Sequence, residues 1–217
     1  MAKKFDSILK HLEFEGGLVH YAPPLETDLA LNLATPQNWL PALCGPQNPA
    51  EQIRTLWAPL EQWLPRTIDA YAKNCLALAV VRTREAPLSI LYCFDLGKTW
   101  TAMRGFAPNS ALPEVSRAFP VDLTPLYALH NGLVNFASGE DGPLPIERWT
   151  LIEDPQRGGG LLEVLSEGGR GVGFDIGSKP VRCYRIDADD EDEPVTEIAD
   201  PWAHVDSHLA KWLERRK

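Results

Sequence analysis

The spacing of apolar residues changes character along the chain. Phe5, Ile8, Leu9 and Leu12 recur at three- and four-residue steps, which predicts a modest amphipathic helix over residues 2–14, ended by Gly16-Gly17. Residues 21–49 are rich in Pro, Asn and Gln around Trp39, Leu40 and Leu43, and are expected to form loop and short helical turns. Asn48-Pro49-Ala50-Glu51 then supplies an N-cap, a proline at the first helical position and a first-turn carboxylate. Ile53, Leu56, Trp57, Leu60, Trp63 and Leu64 continue that stripe, and Pro59 and Pro65 divide it before a last turn through Ile68 and Tyr71. The period then shortens. Residues 75–83, 88–95 and 98–103 read as an antiparallel meander, and residues 161–165, 172–176 and 181–186 as a second block of strands. A closing helix over residues 201–215 starts at Asp200-Pro201 and carries Trp202, Val205, Leu209, Trp212 and Leu213 as its apolar stripe. Helices at both ends and the middle, with strands in two blocks, predict an α+β fold. The chain divides naturally into residues 1–110 and a second α+β module over residues 111–217, whether or not the halves are separate domains.

Between the blocks lies VDLTPLYALHNGLV, residues 121–134. Asp122 stands where an N-cap belongs and Pro125 falls in the first turn. Leu123, Leu126, Tyr127 and His130 share one helical face, and Asn131 and Gly132, which accept positive φ most readily, stop the helix. On local chemistry this is a capped core helix. Its setting is more specific. Phe119-Pro120 precedes it; a loop over residues 139–149, a glycine-rich strand pair, an acidic turn and a Trp-containing helix follow it. This order, from about Leu112 to Leu213, resembles the SUKH superfamily, found largely as bacterial immunity proteins against polymorphic toxins. The apolar-Pro step, helix and His130-Asn131-Gly132 carry the resemblance. Leu112-Pro113 competes with Phe119-Pro120 for the motif's start, and the second lies at the better distance for a single helix. Leu133 departs from the small residue that many members carry there. The resemblance implies an α+β domain that binds and neutralises a toxin in the cytoplasm.

Charge sharpens the picture. Residues 1–110 hold ten Lys/Arg and ten Asp/Glu, so they are neutral; residues 111–217 hold eleven and twenty, so the whole net charge of −9 lies there. Such a surface repels nucleic-acid backbones and steers cationic partners toward itself. The charged N-terminus is not expected to act as a signal peptide, no stretch has about 18 consecutive apolar residues, and the four cysteines form no CxxC pair. A reduced, cytoplasmic protein that neither binds nucleic acid nor spans a membrane is expected.

Other candidate chemistry is thin. Gly168, Gly169, Gly171 and Gly173 match neither a dinucleotide fingerprint nor a phosphate loop. The run 187–194, DADDEDEP, has Asp192 where a calcium loop needs glycine. His204 and His208 are spaced i, i+4, but Val205 replaces the glutamate of a zinc hydrolase and no third ligand is evident, so they are expected on the surface. Trp39, Trp57 and Trp63 could form a ligand platform, although core is the commoner place for such rings. FDLGK at 94–98 echoes FDIGSK at 174–179, through duplication or strand-turn chemistry alone. With no nucleophile motif, the expectation is a non-enzymatic immunity protein with no cofactor or metal, whose partner is a cognate toxin, a nuclease or deaminase, with an adaptor protein of the same fold as the alternative. The partner surface expected first is Asp187, Asp189, Asp190, Glu191, Asp192 and Glu193; the second is Glu140 and Asp141.

Overall fold

The two blocks of alternating sequence become two antiparallel sheets. The computed structural model describes residues 19–46, 48–82, 88–97, 99–154, 159–187 and 195–214. Strands β1 (Val19–Tyr21), β2 (Cys75–Arg82), β3 (Ser89–Asp95), β4 (Trp100–Phe106) and β5 (Leu133–Asn135) form the first sheet in that order. The second contains β6 (Gly142–Pro143), β7 (Thr150–Asp154), β8 (Gly159–Ser166), β9 (Arg170–Asp175), β10 (Arg182–Asp187) and β11 (Thr196–Glu197), ordered β11–β10–β9–β8–β6. Strands β6 and β7 both pair with β8, β6 at Leu165 and Ser166 and β7 at Gly159 to Glu163. The helices are α1 (Thr27–Asn32), α2 (Leu40–Cys44), α3 (Pro49–Trp57), α4 (Pro65–Asn74), α5 (Thr124–Leu129) and α6 (Pro201–Glu214). The protein is α+β. The helix expected over residues 2–14 lies outside the described residues, as do Lys98, Arg215, Arg216, Lys217 and the side chain of Trp212.

Local chemistry sets the boundaries. Asn48 Oδ1 accepts the Glu51 amide at 2.9 Å, which caps α3, and Asp200 Oδ1 accepts the Ala203 amide at 3.0 Å, which caps α6. Pro59 sits in a 3₁₀ turn over Ala58–Leu60, after which Pro65 opens α4. The echoed FDLG and FDIG segments both end a strand at an aspartate whose side chain accepts the amide of the glycine two residues on, although only Gly97 takes positive φ. Asp95 Oδ1 accepts the Gly97 amide at 2.7 Å and Asp175 Oδ1 accepts the Gly177 amide at 3.1 Å.

One apolar core joins the halves. Ile53, Leu56, Trp57 and Tyr71 pack with Leu78, Val80, Ile90, Tyr92 and Phe94 of the first sheet, and the cluster continues into Val164, Val172 and Phe174 of the second. Phe119, from the apolar-Pro step, stacks on Phe174 with ring centroids 4.0 Å apart. Trp39 and Trp57 are fully buried core residues, and Trp63, half-buried, packs against that core and stacks on Trp202 at 5.6 Å, so the three rings do not form one open platform. A polar staple supplements this packing. Helix α4 begins after Leu64, which offers no side-chain cap. Buried Asp206 of α6 replaces it: Oδ1 accepts the Thr67 amide at 2.7 Å, Oδ2 accepts the Arg66 amide at 3.2 Å, and the Asp206 carbonyl accepts Thr67 Oγ1 at 3.1 Å. A carboxylate from residue 206 thus satisfies the orphan amides of a helix more than a hundred residues earlier.

Candidate functional site

The central stretch is organised by His130, which has no exposed surface. Trp57 Nε1 donates to Tyr92 Oη at 3.0 Å, Tyr92 Oη lies 2.6 Å from His130 Nε2, and His130 Nδ1 lies 3.2 Å from the Phe106 carbonyl. Indole can only donate and a carbonyl can only accept, so the protons are fixed: Nδ1–H donates to Phe106, and Tyr92 O–H donates to Nε2. The ring is neutral. Burial lowers its pKa from 6.5 to about 3. Rings of Trp39 and Trp57 pack on the imidazole at 5.3 Å and 5.9 Å, and Gly105 leaves room for it, since a Cβ there would lie 2.6 Å from the ring. Every nitrogen is used, so His130 holds the core together and has nothing left for a ligand.

The next two residues clamp a loop. Asn131 Nδ2 donates to Glu147 Oε2 at 2.9 Å, and Asn131 Oδ1 accepts the Ile146 amide at 3.0 Å. Gly132 has φ +86°, and a Cβ there would meet Pro145 N at 2.4 Å. Two expectations change here. Only Gly132 takes positive φ, while Asn131 uses its side-chain amide on the loop. Asp122 acts one residue before the helix boundary, where its Oδ1 accepts the Thr124 amide at 2.9 Å ahead of the N-cap residue Leu123.

A second polar cluster lies at the end of the second sheet. The β8–β9 turn passes through Gly168 and Gly169, both with positive φ, and presents Glu167 to α6. Glu167 Oε1 accepts from His204 Nε2 at 2.6 Å and lies 3.2 Å from His208 Nδ1, while Oε2 lies 3.6 Å from Arg185 Nε. Burial raises the Glu167 carboxyl, but the His204 hydrogen bond and the neighbouring cations outweigh it and hold the group below the usual carboxylate range. A cleft of about 410 Å³ opens beside it, bounded by Asp141, Arg170, Arg185, His208 and Lys211. Asp141 takes the left-handed conformation, φ 62°, which Asp tolerates better than most residues, and its Oδ1 occupies the space beside Gly168 of the β8–β9 turn that a Cβ there would need.

The histidines therefore do not stand on an open surface. Their side chains are 25% and 18% exposed and share Glu167, a partner 37 residues before His204 that helical spacing could not reveal. Among the described residues no group of three or more His, Cys, Asp or Glu is arranged to hold a metal ion. Burial pushes the thiols of Cys75 and Cys183 up to about 12 and that of Cys93 up as well, which makes them poor nucleophiles.

Of the acidic residues expected at a partner surface, Glu140 is exposed, Asp141 is half-buried at the cleft, and Asp187 ends β10 opposite Arg170 of β9. Asp189, Asp190, Glu191, Asp192 and Glu193 lie outside the described residues. Asp141 lies beside Gly168, two residues from Arg170, so Asp141 and the end of β10 at Asp187 belong to the same end of the second sheet. Nothing in the sequence joins them. Among the described residues no helix is long and apolar enough to cross a membrane. No protein-family model matches the chain, and no curated protein and no solved structure is significantly similar to it.

Proposed function

We propose that this chain is an immunity protein that binds a basic toxin effector, a nuclease or deaminase, in the bacterial cytoplasm and covers its active site. The observation that carries the reading is the nearness of Asp141 to the β8–β9 turn, at the end of the sheet where Asp187 closes β10 opposite Arg170, in the half that holds the whole net charge of −9. An enzyme that grips nucleic acid needs a positively charged groove, and a rim of carboxylates attracts that groove before contact. Affinity then comes from a few buried anchors at the interface. The resemblance carried by Phe119-Pro120 and His130-Asn131-Gly132 points the same way, and the sequence adds five carboxylates within the six residues after Asp187.

Co-expression with the toxin encoded beside the gene tests this. The protein should rescue growth, and its association rate with the purified toxin should fall steeply as salt rises. Replacing the carboxylates of residues 187–193 by Asn and Gln should weaken protection. An association rate indifferent to ionic strength, together with unchanged rescue by that variant, would remove the electrostatic reading. Capture of several cellular proteins with no protection against any toxin would favour a scaffolding adaptor.

A further inference from the structure

We propose that His208, held against Glu167, is an acid-sensitive latch between α6 and the β8–β9 turn. The two nitrogens of this ring are treated differently. Nδ1 lies 3.2 Å from Glu167 Oε1, whereas Nε2 is buried with no hydrogen-bond partner among the described residues. The carboxylate oxygen 3.2 Å from Nδ1 favours the neutral tautomer with its proton there, which leaves an unused lone pair at Nε2, a modest cost. A second proton must go to Nε2. It would create a buried N–H with no acceptor, which is the more costly arrangement.

The surroundings reinforce that asymmetry. On α6 itself, His204 stands one turn before His208 and Lys211 one turn after it, both of the sign that opposes a further positive charge. Arg170, from the start of β9, and Arg185, from β10, line the same cleft. The carboxylates facing the ring are Glu167 from the β8–β9 turn and Asp141 from the loop before β6, and Glu167 is already shared with His204 and Arg185. Burial accordingly lowers the proton affinity of His208 below that of a free imidazole. When acid forces the proton on, the low-cost relief is for the ring and the turn to part, so that Nε2–H meets water.

The rest of α6 does not follow. Leu209 and Ala210 are fully buried and Asp206 caps α4, so the predicted movement is confined to the turn and the cleft. Asp141 lies beside Gly168 in that turn, and loosening the turn would also shift the acidic rim; only this consequence rests on the immunity reading.

Residue-resolved amide protection factors at pH 7.5 and pH 5.5 test the latch without any partner. Protection of Glu167 to Gly171 should fall about tenfold or more on acidification, while β3, which reports global opening, keeps its own. His208→Asn keeps a donor near the Nδ1 position and cannot titrate, and should abolish the fall. Equal protection of the turn at both pH values, or a fall that persists in His208→Asn, overturns the proposal. Should that variant not fold, NMR titration of the His208 ring in the natural protein serves instead. Proton uptake must then coincide with loss of turn protection, and separate midpoints overturn the latch. A gain of turn protection with added zinc at pH 7.5 would reassign the cluster to metal binding and equally overturn it.

Discussion

His130 and His208 are the two most informative histidines of this protein, and they differ in one respect. Both are shielded and both contact an oxygen from a distant element. His130 has both nitrogens hydrogen-bonded, by Tyr92 and Phe106; His208 has one facing the Glu167 carboxylate at 3.2 Å and one buried without a partner among the described residues. Completeness of hydrogen bonding, more than burial, separates a histidine that holds a fold from one that can respond to protons. The largest test acts on the complete site. His130→Ala strands the Tyr92 hydroxyl and opens a cavity against Trp39 and Trp57, and should cost about 4 kcal/mol in urea denaturation. Acid should show the same group. Its folded pKa, about 3, lies below the 6.5 of a free ring, so the stability it contributes is whole above pH 6.5 and is lost as pH falls toward 3. The slope is about 1.4 kcal/mol per pH unit. His130→Ala should flatten that slope; an unchanged slope would mean that other groups drive acid unfolding.

A middle case is Asp206, a carboxylate whose partners are complete but lie across the two halves of the chain. Asp206→Ala leaves the first free amides of α4 unsatisfied and should cost about 2–3 kcal/mol. If the halves fold together, the denaturation curve should shift as one transition. Two separated transitions would show that the staple joins two independently stable units, and would sharpen the contrast between the neutral and the acidic half.

How much of this was legible in the sequence follows from how far each interaction reaches. Asn48-Pro49 and Asp200-Pro201 announced α3 and α6 because a cap acts within three residues. Leu126 and Tyr127 fall on the buried face of α5 as helical spacing expects, because that periodicity is local; Leu123 and His130 are buried too but flank the helix, His130 with extended backbone. Strand β1, with only three residues and no alternation to speak of, gave no signal; its place is set by pairing with β2 some sixty residues later. The same limit hid Glu167 from His204 and His208, Asp206 from α4, and Asp141 from the β8–β9 turn. A pattern can show that two histidines share a helical face, but it cannot show what the fold brings up to them. The role of Asn131 was misread for a related reason: its residue type suits a turn, and the loop at Ile146 and Glu147 that claims its amide lies beyond any local window.

The smallest expected effect on stability falls at the acidic rim, and it is the one that most directly separates holding a fold from meeting a partner. Glu140 is exposed and Asp141 only half-buried, so Glu140→Gln with Asp141→Asn removes two charges while changing little packing. Asn is chosen at 141 because φ there is 62°, a conformation that Asn accepts and most other residues resist. Stability should stay within about 0.5 kcal/mol of the natural protein, as for most surface substitutions. Association with a basic toxin should slow about tenfold at low salt, and the variant and natural rates should converge as salt rises, because only the screened, long-range part of the attraction has been removed. A variant that unfolds would place these carboxylates with His130 among the groups that maintain the fold. One that dissociates faster at every salt concentration, with an unchanged association rate, would place Asp141 inside the contact itself and make the cleft, not the field around it, the part that grips.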